Sequence, residues 1–475
     1  MAVFSAQPPV SLYLVPDRHS PVPSRTCDRR NPYRVKSKLL LFAVAAGLAC
    51  APAIDGADDH FTLIVTGDSI VTFPLSSSND PAFLEIVDIV RGADMAIINL
   101  ETVLRDGEGY AQRDGGGAWL FASGSMAKDL RWLGVDMVSH ANNHTYDYGP
   151  EAIFSTHANL GRAGIAIAGS GKDLPAARAP AFANTSKRVG FVAMASTFNE
   201  FGAASPPVHG IAGRPGLNPL RVTKRYSLSE DSASRLQAIA ETEKLPFFRS
   251  DNGDISLATM HFYVADGQRV RYVPDKSDWE GNLEQIRIAA DNADYVVVSI
   301  HAHQKKTEPG PPKFLVDLAH AAIDAGADVF FTHGSHYLLG IEIYRGRPIF
   351  YGLGNFFYQP HGVKNQPWEF HQKYGTDPEQ DYPRPRNDRF ANPAYWFGVL
   401  PVITFEGAEP TQIRLIPLNL RQGSLEEMKG RPVRARGTAA IQIGQLLQQL
   451  SQPFGTTVEE TSNGELLVRI SEQPQ

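Results

Sequence analysis

Cysteine is almost missing from this chain. Only Cys27 and Cys50 occur among 475 residues, both in the first fifty positions. That excludes a disulfide framework, so stability has to come from a packed core. Long apolar runs are missing as well. Residues 39–50, LLLFAVAAGLAC, form a run of 12, short of the ~20 that a membrane-spanning helix needs. The body carries no long basic run and the net charge is −6, which argues against nucleic acid as a partner. No internal repeat is visible. Gly115, Gly116 and Gly117 stand together but lack the Lys-Ser that follows in a phosphate loop.

What is present fits a globular protein. Hydrophobic residues make up 43% and charged residues 20%, close to globular averages, so a sizeable core is available. The apolar run at 39–50 follows Arg34, Lys36 and Lys38 and precedes Ala51-Pro52-Ala53. That order of basic, apolar and small residues fits a secretory signal; a buried helix is the competing reading. The expected location is outside the cytoplasm, in the periplasm, or held at the membrane through the N-terminal segment. The mature chain is expected to have no transmembrane helix. The polar leader before Arg34 is long for such a signal, which initiation near Val35 would explain. Cys50 closes the run, but Gly47 stands where a lipoprotein signal usually has Leu. The sequence divides into a leader and signal at 1–57, a main domain at 58–425, and a C-terminal helix and strand extension at 426–475.

Five short apolar stretches end in polar residues. Residues 62–66 run into Gly67-Asp68, and 94–98 into Asn99-Leu100-Glu101. Residues 135–138 precede a turn with Asn142, Asn143 and His144. Residues 295–300 run into His301-Ala302-His303, and 329–331 into Thr332-His333-Gly334-Ser335-His336. The stretches read as buried strands. Amides and imidazoles beyond a strand end need hydrogen bonds or a metal if buried. Ligands of open α/β sheets bind outside the carboxyl ends of the strands, so five such ends can converge.

Helices are expected at 81–91, 125–133, 150–162, 227–244, 279–291, 314–325 and 438–450. Further strands are expected at 165–168, 189–195, 255–263, 395–405, 411–417 and 465–470, with a hairpin over 338–351. The alternation makes the class α/β. Residues 202–219 read as irregular. Residues 360–393, with His361 and His371, read as an insertion or lid. Asn142 is expected to brace its turn, His140 to be structural, and His157 and His320 to be solvated or capped on helices.

The polar strand ends supply Asp68, Glu101, Asn143, His144, His301, His333 and His336. Carboxylate, amide oxygen and imidazole without thiolate suit hard and borderline divalent metals. A carboxylate such as Glu101 can bridge two ions, and such a centre activates water. His144 is placed to act as acid or anion stabiliser. Asn355, after Gly354, either orients His333 or His336 or fills a turn. Arg214 and Arg221 either clamp an anionic substrate or are solvated loop arginines.

These motifs resemble the CapA family, linked to poly-γ-glutamate capsule synthesis and part of the calcineurin-like metallophosphatase superfamily. The resemblance is carried by Gly67-Asp68, Asn99-Leu100-Glu101 and Ala141-Asn142-Asn143-His144 with Asp147-Tyr148-Gly149. Thr332-His333-Gly334-Ser335-His336, Tyr351-Gly352-Leu353-Gly354-Asn355-Phe356 and the segment from Arg214 to Arg221 extend it. It covers about residues 61–405. It implies a four-layer α/β/β/α sandwich of the metallophosphatase type, two mixed sheets flanked by helices. It implies one or two divalent ions (manganese, iron or zinc). Asp68 and His336 would hold the first, Glu101 would bridge, and Asn143, His301 and His333 would hold the second. His144 would be the catalytic histidine, and Arg214, His303 and Asn355 would contact substrate. Ile70 stands where the family's relatives often have a histidine ligand, and His303 is a candidate replacement.

The implied function is an exported, metal-dependent hydrolase or transferase acting on poly-γ-glutamate or a related anionic envelope polymer. It would work beside capsule synthesis or export machinery. The rival readings are a metal-dependent phosphoesterase and a non-catalytic scaffold of a capsule complex.

Overall fold

Alternation decides where each strand sends its side chains. Along the strand Tyr295–His301, Tyr295 and Val297 join one apolar cluster, while Val296, Val298 and Ile300 join another. Along Val329–His333, Val329 and Phe331 face the first cluster and Phe330 the second. Strands with apolar residues on both faces are those of a sheet covered on both sides. The protein is described here by a computed structural model covering residues 60–267, 269–304, 310–379 and 391–470.

The described residues form a mixed α/β structure around two large sheets. The ten-stranded sheet contains His60–Ile70, Met95–Leu100, Met137–Ser139 and Ala166–Ala168 in parallel. Phe397–Glu406 joins it antiparallel to His60–Ile70, and Asn355–Tyr358 parallel to that strand's end. In the six-stranded sheet, Arg188–Ala195, Tyr295–His301, Val329–His333 and Arg347–Phe350 run parallel. Its two outer strands run antiparallel.

One apolar cluster draws on both sheets, with Phe61, Leu63 and Val65 from the first and Phe191, Val297 and Phe331 from the second. The outer face of the first sheet is covered by Pro81–Arg91 and Met126–Leu133, through Phe83, Ile86, Leu130 and Leu133. The outer face of the second is covered by Lys276–Ala290 and Lys313–Asp324, through Ile286, Phe314, Leu318 and Ala322. Each fully buried aliphatic or aromatic side chain contributes ~1.5–3 kcal/mol, so these faces fix how the strand ends meet.

Some expectations are corrected. Residues 255–263 are not one strand: Asp254–Leu257 and Met260–Val264 form a tight hairpin, with Ala258 at φ +51° in its turn. They belong to a separate five-stranded sheet spanning residues 222–274, on which the helix Glu230–Thr242 packs through Ala233 and Leu236. The irregular 202–219 segment contains a short strand, Gly216–Leu217, paired with Ser170–Gly171. Within the expected lid, residues 380–390 lie outside the described residues. The part before them contains the helix Trp368–Tyr374, whose Phe370 packs on Trp119. His361 is buried with Nε2 2.9 Å from the Glu426 carbonyl, and His371 is buried with Nδ1 2.9 Å from Thr376 Oγ1. The expected signal at 39–53 also lies outside the described residues. Among those described, no helix is long and apolar enough to cross a membrane.

Candidate metal centre

The strand alternation carries straight into the site. His301 continues the inward parity of Tyr295 and Val297, and His333 that of Val329 and Phe331. The two histidines are in register on adjacent parallel strands, with Nδ1 atoms 2.9 Å apart. Asp68 follows a shift in the pairing of its strand. At that shift, a Cβ on Gly67 would lie 1.9 Å from the Gly354 carbonyl oxygen, so only glycine lets the chains approach. Asp68 accepts from Asn99 Nδ2 at 2.9 Å, and from the Gly334 N–H at 2.8 and 2.9 Å on its two oxygens.

Glu101 sits past the end of Met95–Leu100, fully buried. Its Oε1 is 3.7 Å from His301 Nε2 and 4.0 Å from both His144 Nε2 and His336 Nε2. Among the described residues, both carboxylate oxygens lack a hydrogen-bond partner, as do Asn143 Oδ1 and His333 Nε2. Buried polar atoms of a native protein are rarely left so. Asn143 donates through Nδ2 to the Gly116 carbonyl at 2.8 Å, which leaves Oδ1 as its ligand atom.

His336 has φ +60°, a strained conformation for a residue with a Cβ. Its Nδ1 lies 2.9 Å from Asn355 Oδ1 and 3.2 Å from Asp68 Oδ2. Asn355 donates in turn to the Tyr395 carbonyl at 2.9 Å, so it orients His336. His303 Nε2 lies 2.7 Å from His301 Nε2. His144 Nδ1 lies 2.7 Å from Asp147 Oδ2.

Two sets of donor atoms are close enough to share an ion: Asp68, His301 and His333, and Glu101, His303 and His336. This division differs from the one the resemblance implies, because His336 stands with Glu101 and His303 while still touching Asp68. Ile70 packs in an apolar cluster with Tyr358 and Trp396.

The electrostatics fit a cation. Burial, with Asp68 and Asp147 nearby, pushes the Glu101 carboxyl well above the usual range. Burial, with His303 and His333 close by, holds His301 well below an ordinary imidazole. Burial lowers His333 to about 4. Burial also opposes ionisation of Asp68, but the His336, His301 and His333 imidazoles outweigh it and hold that carboxyl low. Imidazoles that stay neutral at pH 7 are ready to ligate.

Arg214 is not among the cluster's hydrogen-bond partners. It is exposed, and its guanidinium donates to the Ala203 and Glu200 carbonyls at 3.0 and 3.4 Å. Arg221 pairs with Asp278 at 2.8 Å. His157 is not solvated: its Nε2 lies 2.7 Å from Ser170 Oγ, which also lies 2.9 Å from His140 Nδ1. His320 is paired with Glu342 at 2.9 Å and stacked on Tyr344.

Sequence reasoning gave no role to Asp147, Asn99 or the Gly334 N–H. Asp147 stands three residues after His144 within one turn, which brings the two side chains together. Asn142 braces the turn as expected, its Oδ1 accepting the His144 N–H at 3.1 Å, and its Nδ2 donates to Asn99 Oδ1 at 3.1 Å and the Leu100 carbonyl at 2.8 Å.

Comparison with known proteins gives the family. The family model for the bacterial capsule synthesis protein PGA_cap matches residues 62–359. An uncharacterised protein of Sinorhizobium fredii is 32% identical over 429 residues, 84% of this chain and 91% of its own. A probable polyglutamine synthesis accessory protein of Mycobacterium tuberculosis is 31% identical over 268 residues, 55% of each chain. The capsule biosynthesis protein CapA of Bacillus anthracis is 24% identical over 322 residues, 65% of this chain and 62% of its own. The chain belongs to the CapA family of bacterial capsule synthesis proteins, PGA_cap.

Proposed function

We propose that this protein is an exported, metal-dependent hydrolase or transferase acting on poly-γ-glutamate or a related anionic envelope polymer. The observation that carries the reading is the convergence of Asp68, Glu101, His301, His333 and His336 at strand ends, where Glu101, Asn143 and His333 hold buried polar atoms without partners among the described residues. The capsule-related names of the relatives support the substrate class. The shared core and two helix-covered outer faces support a four-layer metallophosphatase-type sandwich. The basic, apolar and small residues of 34–53 support export to the periplasm, beside capsule synthesis or export machinery.

Manganese, iron or zinc suits the donor set. Asp68, His301 and His333 would hold one ion and Glu101, His303 and His336 a second, with Asn143 adding its amide oxygen. His303 would then supply the ligand that Ile70 does not. When bound, such ions supply Lewis acidity and activate water at neutral pH. The chain supplies the rest. Asp147 would accept a hydrogen bond from the Nδ1–H of His144 and fix the ring. That leaves His144 Nε2, 4.0 Å from Glu101 Oε1, to pass a proton to the leaving group. Asn355 holds His336 in its orientation.

A phosphoesterase reading rests on the same two donor sets, since paired cations also clamp displacement at phosphorus. The test is a substrate panel with manganese-loaded protein. Shortening of poly-γ-glutamate, abolished in His144→Ala, is the expected result. Hydrolysis of a chromogenic phosphodiester alone would favour the phosphoesterase. Turnover of neither would leave the scaffold.

A further inference from the structure

A second cleft, of about 900 Å³, lies between the five-stranded sheet and the helices Lys276–Ala290 and Lys313–Asp324. Aromatic and cationic side chains line it together: Tyr263, Tyr272 and Trp279 with Arg269, Arg271 and Lys313. Lys313 is neutralised by Asp317 at 2.5 Å. Arg269 and Arg271 have no carboxylate partner among the described residues. Both are exposed, and the Arg271 guanidinium lies 4.4 Å from the Tyr263 ring centre. A guanidinium held against an aromatic face keeps its donor edge free for a carboxylate.

Folding alone does not account for this placement. Arg271 stands directly across from Arg225 in the antiparallel pairing, and like charges in that relation are destabilising. Arg225 is offset by an ion pair with Asp254, while Arg271 turns its charge to the cleft. The strand Val270–Pro274 is also the edge of its sheet. A net charge of −6 makes an unpaired pair of arginines a local exception that attracts anions.

The cleft also leads somewhere. Pro312 lines it and equally lines the small pocket, about 140 Å³, that contains His303 and His336. Among the described residues, Pro312 is therefore shared by the cationic cleft and the pocket beside the candidate metal centre.

We propose that this cleft is a binding track for an extended polycarboxylate chain, holding the polymer on one side of Pro312 while another stretch reaches the histidine cluster. This rests on the reading of an anionic polymer as substrate. Recognition would come from guanidinium–carboxylate pairs at Arg269 and Arg271, with the aromatic side chains packing against methylene groups.

The test is fluorescence anisotropy of labelled poly-γ-glutamate with full-length, manganese-loaded protein at low salt. Arg269→Glu and Arg271→Glu are compared with Lys128→Glu, an equal charge change on the helix Met126–Leu133, with metal content measured in each. Each arginine reversal is expected to weaken binding about tenfold or more and to flatten its salt dependence. Lys128→Glu is expected to change it less than about twofold, and metal content is expected to be equal in all. Equal binding by Arg271→Glu and Lys128→Glu would overturn the track and leave the polymer reading standing. No binding by the unaltered protein would overturn both.

Discussion

His144 and Asp147 form a buried imidazole–carboxylate pair, with Nδ1 2.7 Å from Oδ2. Asp147 also accepts the Leu120 and Gly116 N–H groups at 2.8 and 2.9 Å, so its carboxylate is fixed before it fixes the ring. Asp147→Asn keeps the size but not the charge. It is expected to lower kcat about a hundredfold with metal content unchanged. Steady-state kinetics with metal analysis checks this; an unchanged kcat would remove His144 from the proton-transfer role.

Gly334 gives a prediction about the cluster's shape. Its φ is +98°, and a Cβ there would meet His303 Cδ2 at 2.7 Å and His301 Cε1 at 3.0 Å. Gly334→Ala therefore strains the backbone and pushes the histidines apart, at a cost of ~1–3 kcal/mol. Reduced metal retention and a lower Tm are expected together. Thermal unfolding and metal content measured on one preparation check this.

Glu101 predicts how stability depends on metal. A buried carboxyl with two oxygens unpartnered among the described residues is offset by a bound cation. An ion present at a hundred times its Kd adds ~2.7 kcal/mol, or about 3 °C in Tm for a chain of this size. Chelation is expected to lower Tm by that amount in the unaltered protein and by clearly less in Glu101→Gln. Calorimetry with and without chelator reads the difference.

His140 and His157 predict an acid-sensitive limb away from the cluster. Burial, with His157 close by, lowers His140 to about 3, and burial lowers His157 to about 4. The folded state therefore favours the neutral rings, while the unfolded chain takes up protons below about 6.5. Their contribution to stability is full above that pH and is lost as pH falls toward 4 and then 3. The slope is ~1.4 kcal/mol per pH unit for each ring. His140→Gln is expected to flatten urea-unfolding stability between pH 4 and 6.

Much of this was legible in the sequence because buried strands announce themselves. The runs before Asp68, Glu101, His301 and His333 are apolar enough to be read without a structure, and the polar residue ending each is then conspicuous. What could not be read was pairing across distance. That His336 stands with Glu101 and His303 depends on a left-handed backbone at position 336, which local sequence does not encode. The role of Asp147 was hidden because its partner is set by a turn. The five-stranded sheet was missed because Ala258, a helix former, occupies the turn between two of its strands. Arg214 drew attention through its motif, yet its guanidinium braces neighbouring carbonyls.

The central claim is that Asp68, Glu101, Asn143, His301, His303, His333 and His336 hold divalent metal. Elemental analysis of purified protein, followed by titration with manganese, iron(II) and zinc, tests it most directly. About one to two ions per chain, lost in His301→Ala, is the predicted result. A folded protein that carries no metal and takes up none on titration would contradict it.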